Sequence, residues 1–177
     1  MPAEMTQDDL KRHIRDIPDF PKPGILFRDI TPLLQHGPAF HAVIDQLAAR
    51  YQDRGVQAVV AVESRGLIFG SALAYRLGAG LILVRKKGKL PWKTIEATYE
   101  LEYGQDTLEA HDDCLTRGAR VVLVDDLLAT GGTMGAVVKL VEHFHAQIVE
   151  LAFVVELTFL KGREALARHP VFSLIQY

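Results

Sequence analysis

Apolar residues in this chain gather into short β-branched runs, separated by stretches whose apolar positions recur at helical spacing. Val56 to Val62 (VQAVVAV), Leu81 to Val84 (LILV), Val121 to Val124 (VVLV) and Ile148 to Val155 (IVELAFVV) read as strands. Near-continuous runs of this kind suit parallel strands covered on both faces. Between them, Phe40, Val43, Ile44, Leu47 and Ala48 fall on one helical face within Ala39 to Tyr51. Val137, Val138, Leu140, Val141 and Phe144 do the same within Met134 to Phe144. Gly66 to Leu77 reads as a further helix, ended by Gly78 and Gly80. The alternation predicts an α/β fold with a mostly parallel sheet and right-handed crossovers. Chemistry is then expected at the carboxyl ends of the strands.

Two segments break the pattern. Asp16 to Pro38 holds Pro18, Pro21, Pro23, Pro32 and Pro38, which predicts a constrained, extended path rather than a helix. Lys86 to Asp113 is mostly polar, and Thr94 to Tyr103 (TIEATYELEY) has strand-like residues without a buried run, which suggests a projecting hairpin. There is no repeat, low-complexity tract or flexible linker, so residues 1–177 are expected to form one domain.

Composition narrows the function classes. Of 177 residues 49% are hydrophobic, enough for a core that buries roughly 70% of the unfolded surface. Lys plus Arg number 20 against 22 Asp plus Glu, a net charge of −2 that argues against a nucleic-acid binder. A lone cysteine, Cys114, forms no intramolecular disulfide and suits a reducing interior; without an obvious paired cation or base it reads as inert. The first thirty residues lack an apolar signal core, and apolar runs such as Leu151 to Val155 fall far short of the ~20 residues of a membrane span. A cytoplasmic protein with no membrane partner is expected. His143 and His145 are two apart on a helix and so share no face for a metal.

The richest stretch is Val121 to Thr133, VVLVDDLLATGGT. A strand ends in two carboxylates, a short loop follows, and Thr130-Gly131-Gly132-Thr133 opens a helix. Glycines let backbone N–H groups converge, and a helix start leaves such donors unpaired. With two hydroxyls and the positive helix end they make a phosphate pocket. Asp125 and Asp126 would instead accept from hydroxyls or help hold a hydrated cation. Acceptors for hydroxyls beside donors for a phosphate describe a sugar phosphate. A tight turn capped by Thr130 or Asp126 explains any one of these residues equally well, but not the whole string. Neither GxxxxGK[ST] nor GxGxxG occurs, which disfavours a P-loop NTPase and a dinucleotide-binding dehydrogenase.

VVLVDDLLATGGT resembles the phosphoribosyl-diphosphate signature of the type I phosphoribosyltransferases, and the likeness to their adenine-specific branch spans nearly the whole chain. It rests on Ile17-Pro18-Asp19-Phe20, Pro23 to Leu34 (PGILFRDITPLL), Val62 to Gly66 (VESRG) and Arg85 to Pro91 (RKKGKLP). Thr98 to Gly104 (TYELEYG), Val155 to Glu164 (VELTFLKGRE) and the tail FSLIQY complete it. The resemblance implies the type I fold, with a base-binding hood over residues 1–35 and a flap over 86–108. It implies purine salvage: adenine and 5-phosphoribosyl 1-diphosphate would give AMP and diphosphate. Mg²⁺ would be held mainly by the substrate's diphosphate and ribose hydroxyls rather than directly by protein, and the protein would be a homodimer.

Residue by residue, the resemblance gives the 5-phosphate to Ala129, Thr130, Gly131, Gly132 and Thr133, and the ribose hydroxyls to Asp125 and Asp126. Adjacent strand residues point to opposite faces, so both engage only if the chain has already turned there; otherwise one is structural. Ser64 and Arg65 would hold the diphosphate; their plain alternative is a helix cap by Ser64 with Arg65 on the surface. Arg85, Lys86 and Lys89, with Lys87, form a cation run at a strand end that suits an anion clamp, near the dimer contact. Leu26, Phe27 and Arg28 would face adenine, with backbone groups reading the ring edge, although Phe27 also fits an ordinary core position. Glu102 would be the acid/base at a ring nitrogen, and Tyr103 would close over the site. Trp92 stands where the family pattern carries a small residue. The rival readings are a phosphoribosyltransferase for a 6-oxopurine and a non-catalytic sensor of the sugar diphosphate.

Overall fold

The computed structural model describes residues 5–101 and 103–177. They separate between Leu47 and Ala48 into two units. In the first, helix α1 (Gln7–Lys11) starts with a capping box in which Asp9 N donates to Thr6 Oγ1 at 3.2 Å and Thr6 N donates to Asp9 Oδ2 at 3.0 Å. Strands β1 (Arg15–Ile17) and β2 (Phe27–Asp29) pair antiparallel. Helix α2 (Thr31–Gln35) follows, and α3 (Gly37–Tyr51) runs across the boundary between the units. The proline-rich segment is therefore not extended throughout. Pro32 sits in the first turn of α2, where its missing N–H costs no hydrogen bond. Leu10, Ile30, Leu33, Val43 and Leu47 are among the buried apolar residues of this unit.

The second unit carries β3 (Ala58–Val62), α4 (Arg65–Leu77), β4 (Gly80–Lys86), β5 (Thr94–Glu100), β6 (Gln105–His111), β7 (Arg120–Leu128), α5 (Gly132–His143), β8 (Gln147–Glu156), a 3₁₀ turn (Thr158–Leu160), α6 (Gly162–Ala165) and β9 (Val171–Gln176). One sheet runs β5-β6-β4-β3-β7-β8-β9, parallel from β4 to β9 and antiparallel where β6 and β5 extend it. The four predicted strands and three predicted helices are all present. Hairpin β5–β6 continues the sheet at its edge, joined to β4 at Arg85↔Glu109 and Lys86↔Leu108. The apolar runs of β3, β7 and β8 are buried because helices cover the sheet. Gly70 of α4 lies where a Cβ would collide with Ala61, so the helix packs directly on β3. At the far end of β8, the buried Glu150 accepts from Arg50 Nε at 2.6 Å, Arg50 Nη2 at 2.9 Å and Tyr51 Oη at 2.7 Å. These donors hold its carboxyl below the usual range despite burial. Among the described residues, no helix is long and apolar enough to cross a membrane.

Candidate functional site

The carboxyl end of β7 opens into a pocket lined by Asp125, Leu127, residues 128–133, Met134 and Phe153. Gly131 takes φ +89°, a conformation open to glycine, and stands at the start of α5 with no side chain capping it. Neither Thr130 nor Asp126 caps the helix, so its first N–H groups remain donors for a ligand. A Cβ on Gly132 would meet Tyr99 Cδ2 at 3.6 Å, an ordinary contact, so the end of β5 lies beside the loop.

Asp125 and Asp126 are both still in β7, which continues to Leu128, so the chain has not turned and the two differ in environment. Asp125 lines the pocket, and its Oδ1 accepts from Asp126 N at 2.8 Å. Burial, reinforced by the neighbouring Asp126 charge, pushes the Asp125 carboxyl well above the usual range. Asp126 is 6% exposed and accepts from Arg65 Nε at 2.6 Å. Helix α4 approaches closely because residue 66 is glycine: a Cβ there would lie 2.8 Å from Asp125 Oδ1.

The loop from β3 into α4 holds Ser64 and Arg65. The Glu63–Ser64 peptide is cis, and Ser64 makes no side-chain cap bond to α4, so the plain capping role is not realised. Glu63 accepts from Lys86 N at 2.6 Å and from Arg85 Nη2 at 3.3 Å. The cation run does not point one way. Lys86 Nζ lies 3.2 Å from Asp106 Oδ2, and Lys87 Nζ lies 3.0 Å from Glu96 Oε2. Arg85 Nη1 donates to Lys89 O at 3.1 Å, while its buried Nε has no hydrogen-bond partner. Lys89 is exposed on the turn at Gly88, φ +84°.

In the hairpin, Thr98 and Thr107 share a hydroxyl bond at 2.9 Å, and the tip leaves Leu101 exposed and Tyr103 81% exposed. Glu102 lies outside the described residues. In the first unit, Leu26 is 46% exposed beside exposed Ile25. Phe27 is half-buried, edge-on to Phe20 at 5.1 Å. Arg28 donates to Asp16, its register partner across β1–β2.

Sequence reasoning gave no role to Gly162 or Glu109. A Cβ on Gly162 would collide with Ala129 O and the Leu128 side chain, so this residue backs the loop between β7 and α5. Next to it, Arg163 grips buried Glu156 at 2.8 and 2.7 Å and donates to Ser173 Oγ at 3.0 Å. The glycine inside KGRE was the available signal, but nothing in the sequence places it against residue 129.

Residues 31–173 match the family model for the phosphoribosyl transferase domain. The chain is 62% identical to the adenine phosphoribosyltransferase of Roseiflexus sp. (strain RS-1), over 93% of this chain and 95% of that one. It is similar to the crystal structure of the Thermoanaerobacter pseudethanolicus adenine phosphoribosyltransferase, with a TM-score of 0.94 and 50% identity, covering 97% and 100% of the two chains. The Saccharomyces cerevisiae enzyme, complexed with an imino-altritol bisphosphate and adenine, gives a TM-score of 0.90 at 42% identity, covering 96% of this chain and 98% of that one.

Proposed function

This chain belongs to the adenine phosphoribosyltransferase family, and from that premise we propose that it transfers the phosphoribosyl group of 5-phosphoribosyl 1-diphosphate to adenine, releasing AMP and diphosphate in purine salvage. The observation that carries the reading is the uncapped start of α5 beside Asp125: donors for a phosphate stand next to an acceptor for hydroxyls. The backbone N–H groups of residues 130–133 with the Thr130 and Thr133 hydroxyls hold the 5-phosphate. Asp125 accepts from ribose hydroxyls; a carboxyl whose charge is disfavoured by burial gains most from such donors. Asp126 keeps Arg65 directed, and Ser64, Arg65 and Lys89 bind the diphosphate.

Adenine is held by the Pro23 to Asp29 segment. Leu26 supplies the apolar contact, and one backbone C=O and one N–H match the amino group beside a ring nitrogen. A 6-oxopurine reverses that polarity and leaves a buried group unpaired, a penalty often worth ~10⁴ in rate. Glu102 exchanges a proton with a ring nitrogen, and Tyr103 closes over the site and excludes water. The C1–O bond lengthens toward an oxocarbenium-like state, and N9 attacks from the opposite face, inverting the centre. Positioning and fixed donors carry the rate, with no covalent nucleophile.

Two adjacent carboxylates suit Mg²⁺, which typically takes one or two carboxylates together with substrate phosphates. The ion would be held mainly by the substrate's diphosphate and ribose hydroxyls, with Asp125 as the carboxylate that lines the pocket beside them, and it would offset charge on the leaving diphosphate. A homodimer fits the apolar face of α4 and β4, where Ile68, Tyr75, Leu81 and Leu83 are exposed. Sedimentation at twice the monomer mass would support it, and sedimentation at the monomer mass would overturn it. Incubation with adenine, the sugar diphosphate and Mg²⁺ should give AMP and diphosphate in equal amounts. Ligand binding without either product would instead make the protein a sensor.

A further inference from the structure

Arg85 and Glu109 are register partners across β4 and β6, and both reach the same peptide group. Arg85 Nη1 donates to Lys89 O at 3.1 Å, and Glu109 Oε1 accepts from Leu90 N at 2.8 Å. The oxygen and the N–H of the Lys89–Leu90 peptide are thus held by opposite members of one cross-strand pair. Glu109 is only 3% exposed, and its other oxygen accepts from Thr94 Oγ1 at 3.3 Å, at the first residue of β5. Backbone N–H groups of Leu90, Gly88 and Lys89, with that hydroxyl, hold its carboxyl below the usual range against the effect of burial. A buried carboxylate satisfied by a turn's backbone fixes the turn rather than a ligand.

We propose that Glu109 is a positioning residue, which clamps the Lys89–Leu90 peptide and thereby aims the Lys89 ammonium. The clamp sits at the junction where β6 meets β4, at two register pairs. Without it the turn at Gly88 moves, and Lys89 loses its direction while the sheet stays intact. This rests on the reading that Lys89 binds the diphosphate, but the clamp can be measured apart from that role.

Three measurements test it. Glu109→Gln keeps the size of the side chain but turns an amide donor toward backbone donors. It should raise KM for phosphoribosyl diphosphate about tenfold, with kcat within about twofold. In a Lys89→Ala background the same change should add less than about twofold, because both act through one ammonium. Full multiplication of the two effects, or an unchanged KM in Glu109→Gln, overturns the proposal. In the wild-type protein, the amides of Gly88, Lys89 and Leu90 should exchange with solvent at least about a hundredfold slower than an open loop. Free exchange overturns the clamp even if Glu109→Gln does not fold. A Lys89→Ala variant with unchanged KM, alongside protected amides, overturns the diphosphate role and leaves the clamp standing.

Discussion

Gly131 and Gly162 meet backbone to backbone: a Cβ on Gly131 would lie 2.8 Å from Gly162 O. The loop proposed to hold the 5-phosphate is shaped not only by its own glycines but by the short helix behind it. Gly162→Ala must therefore push residues 128–131 toward the pocket. We expect KM for the sugar diphosphate to rise about tenfold or more, and stability to fall by about 1–3 kcal/mol. Steady-state kinetics and thermal unfolding on the same variant check both.

Asp125 is kept in the pocket at a cost to the fold. A carboxyl whose pKa is raised on folding weakens the native state above the unfolded pKa of about 3.9, and the penalty grows until the folded pKa is passed. Asp125→Asn should thus stabilise the protein at neutral pH, with the gain vanishing below about pH 4. Its activity should drop roughly a hundredfold, through loss of the charged acceptor. Unfolding midpoints at pH 3.5 and 7.5 separate this from a variant that is merely better packed.

Glu156 shows the opposite sign. The Arg163 hydrogen bonds outweigh burial and lower its pKa, so its stabilising effect is present above the unfolded range near pH 4.3 and is lost as pH falls through the folded pKa. Arg163→Ala leaves a buried carboxylate without its guanidinium and should cost about 2–3 kcal/mol at pH 7, below the fully buried range because the arginine reaches water. The acid limb of the stability profile should flatten in the variant.

Trp92 takes φ +71° and is 76% exposed, so it bears left-handed strain with little burial to offset it. Trp92→Gly should leave stability unchanged or raise it by up to about 1 kcal/mol, after the entropy glycine adds to the unfolded chain. A loss of more than about 1 kcal/mol in denaturant unfolding would show that the ring packs against something in solution.

The sequence made the sheet legible because β3, β7 and β8 are buried on both faces, and apolar runs follow from that burial. The loop between β7 and α5 stood out for another reason: its carboxylates, threonines and glycines lie within one continuous stretch. Short elements were not. Helix α2 hides behind Pro32, whose effect depends on its position in a helix, and β9 lies in a tail too short to show a period. Supports that act across the chain were invisible as well. Glu109 is twenty-four positions from Arg85, and only the antiparallel register brings them to one peptide. In the cation run, the carboxylate partners of Lys86 and Lys87 could not be read from the sequence, because β5 and β6 bring them in.

The most direct test of the account compares initial rates of diphosphate release from phosphoribosyl diphosphate and Mg²⁺ with adenine, hypoxanthine and guanine in parallel. Release is expected with adenine, and a rate lower by about 10⁴ with either oxopurine. Equal or faster release with hypoxanthine or guanine would contradict the assignment of base recognition to Pro23 through Asp29.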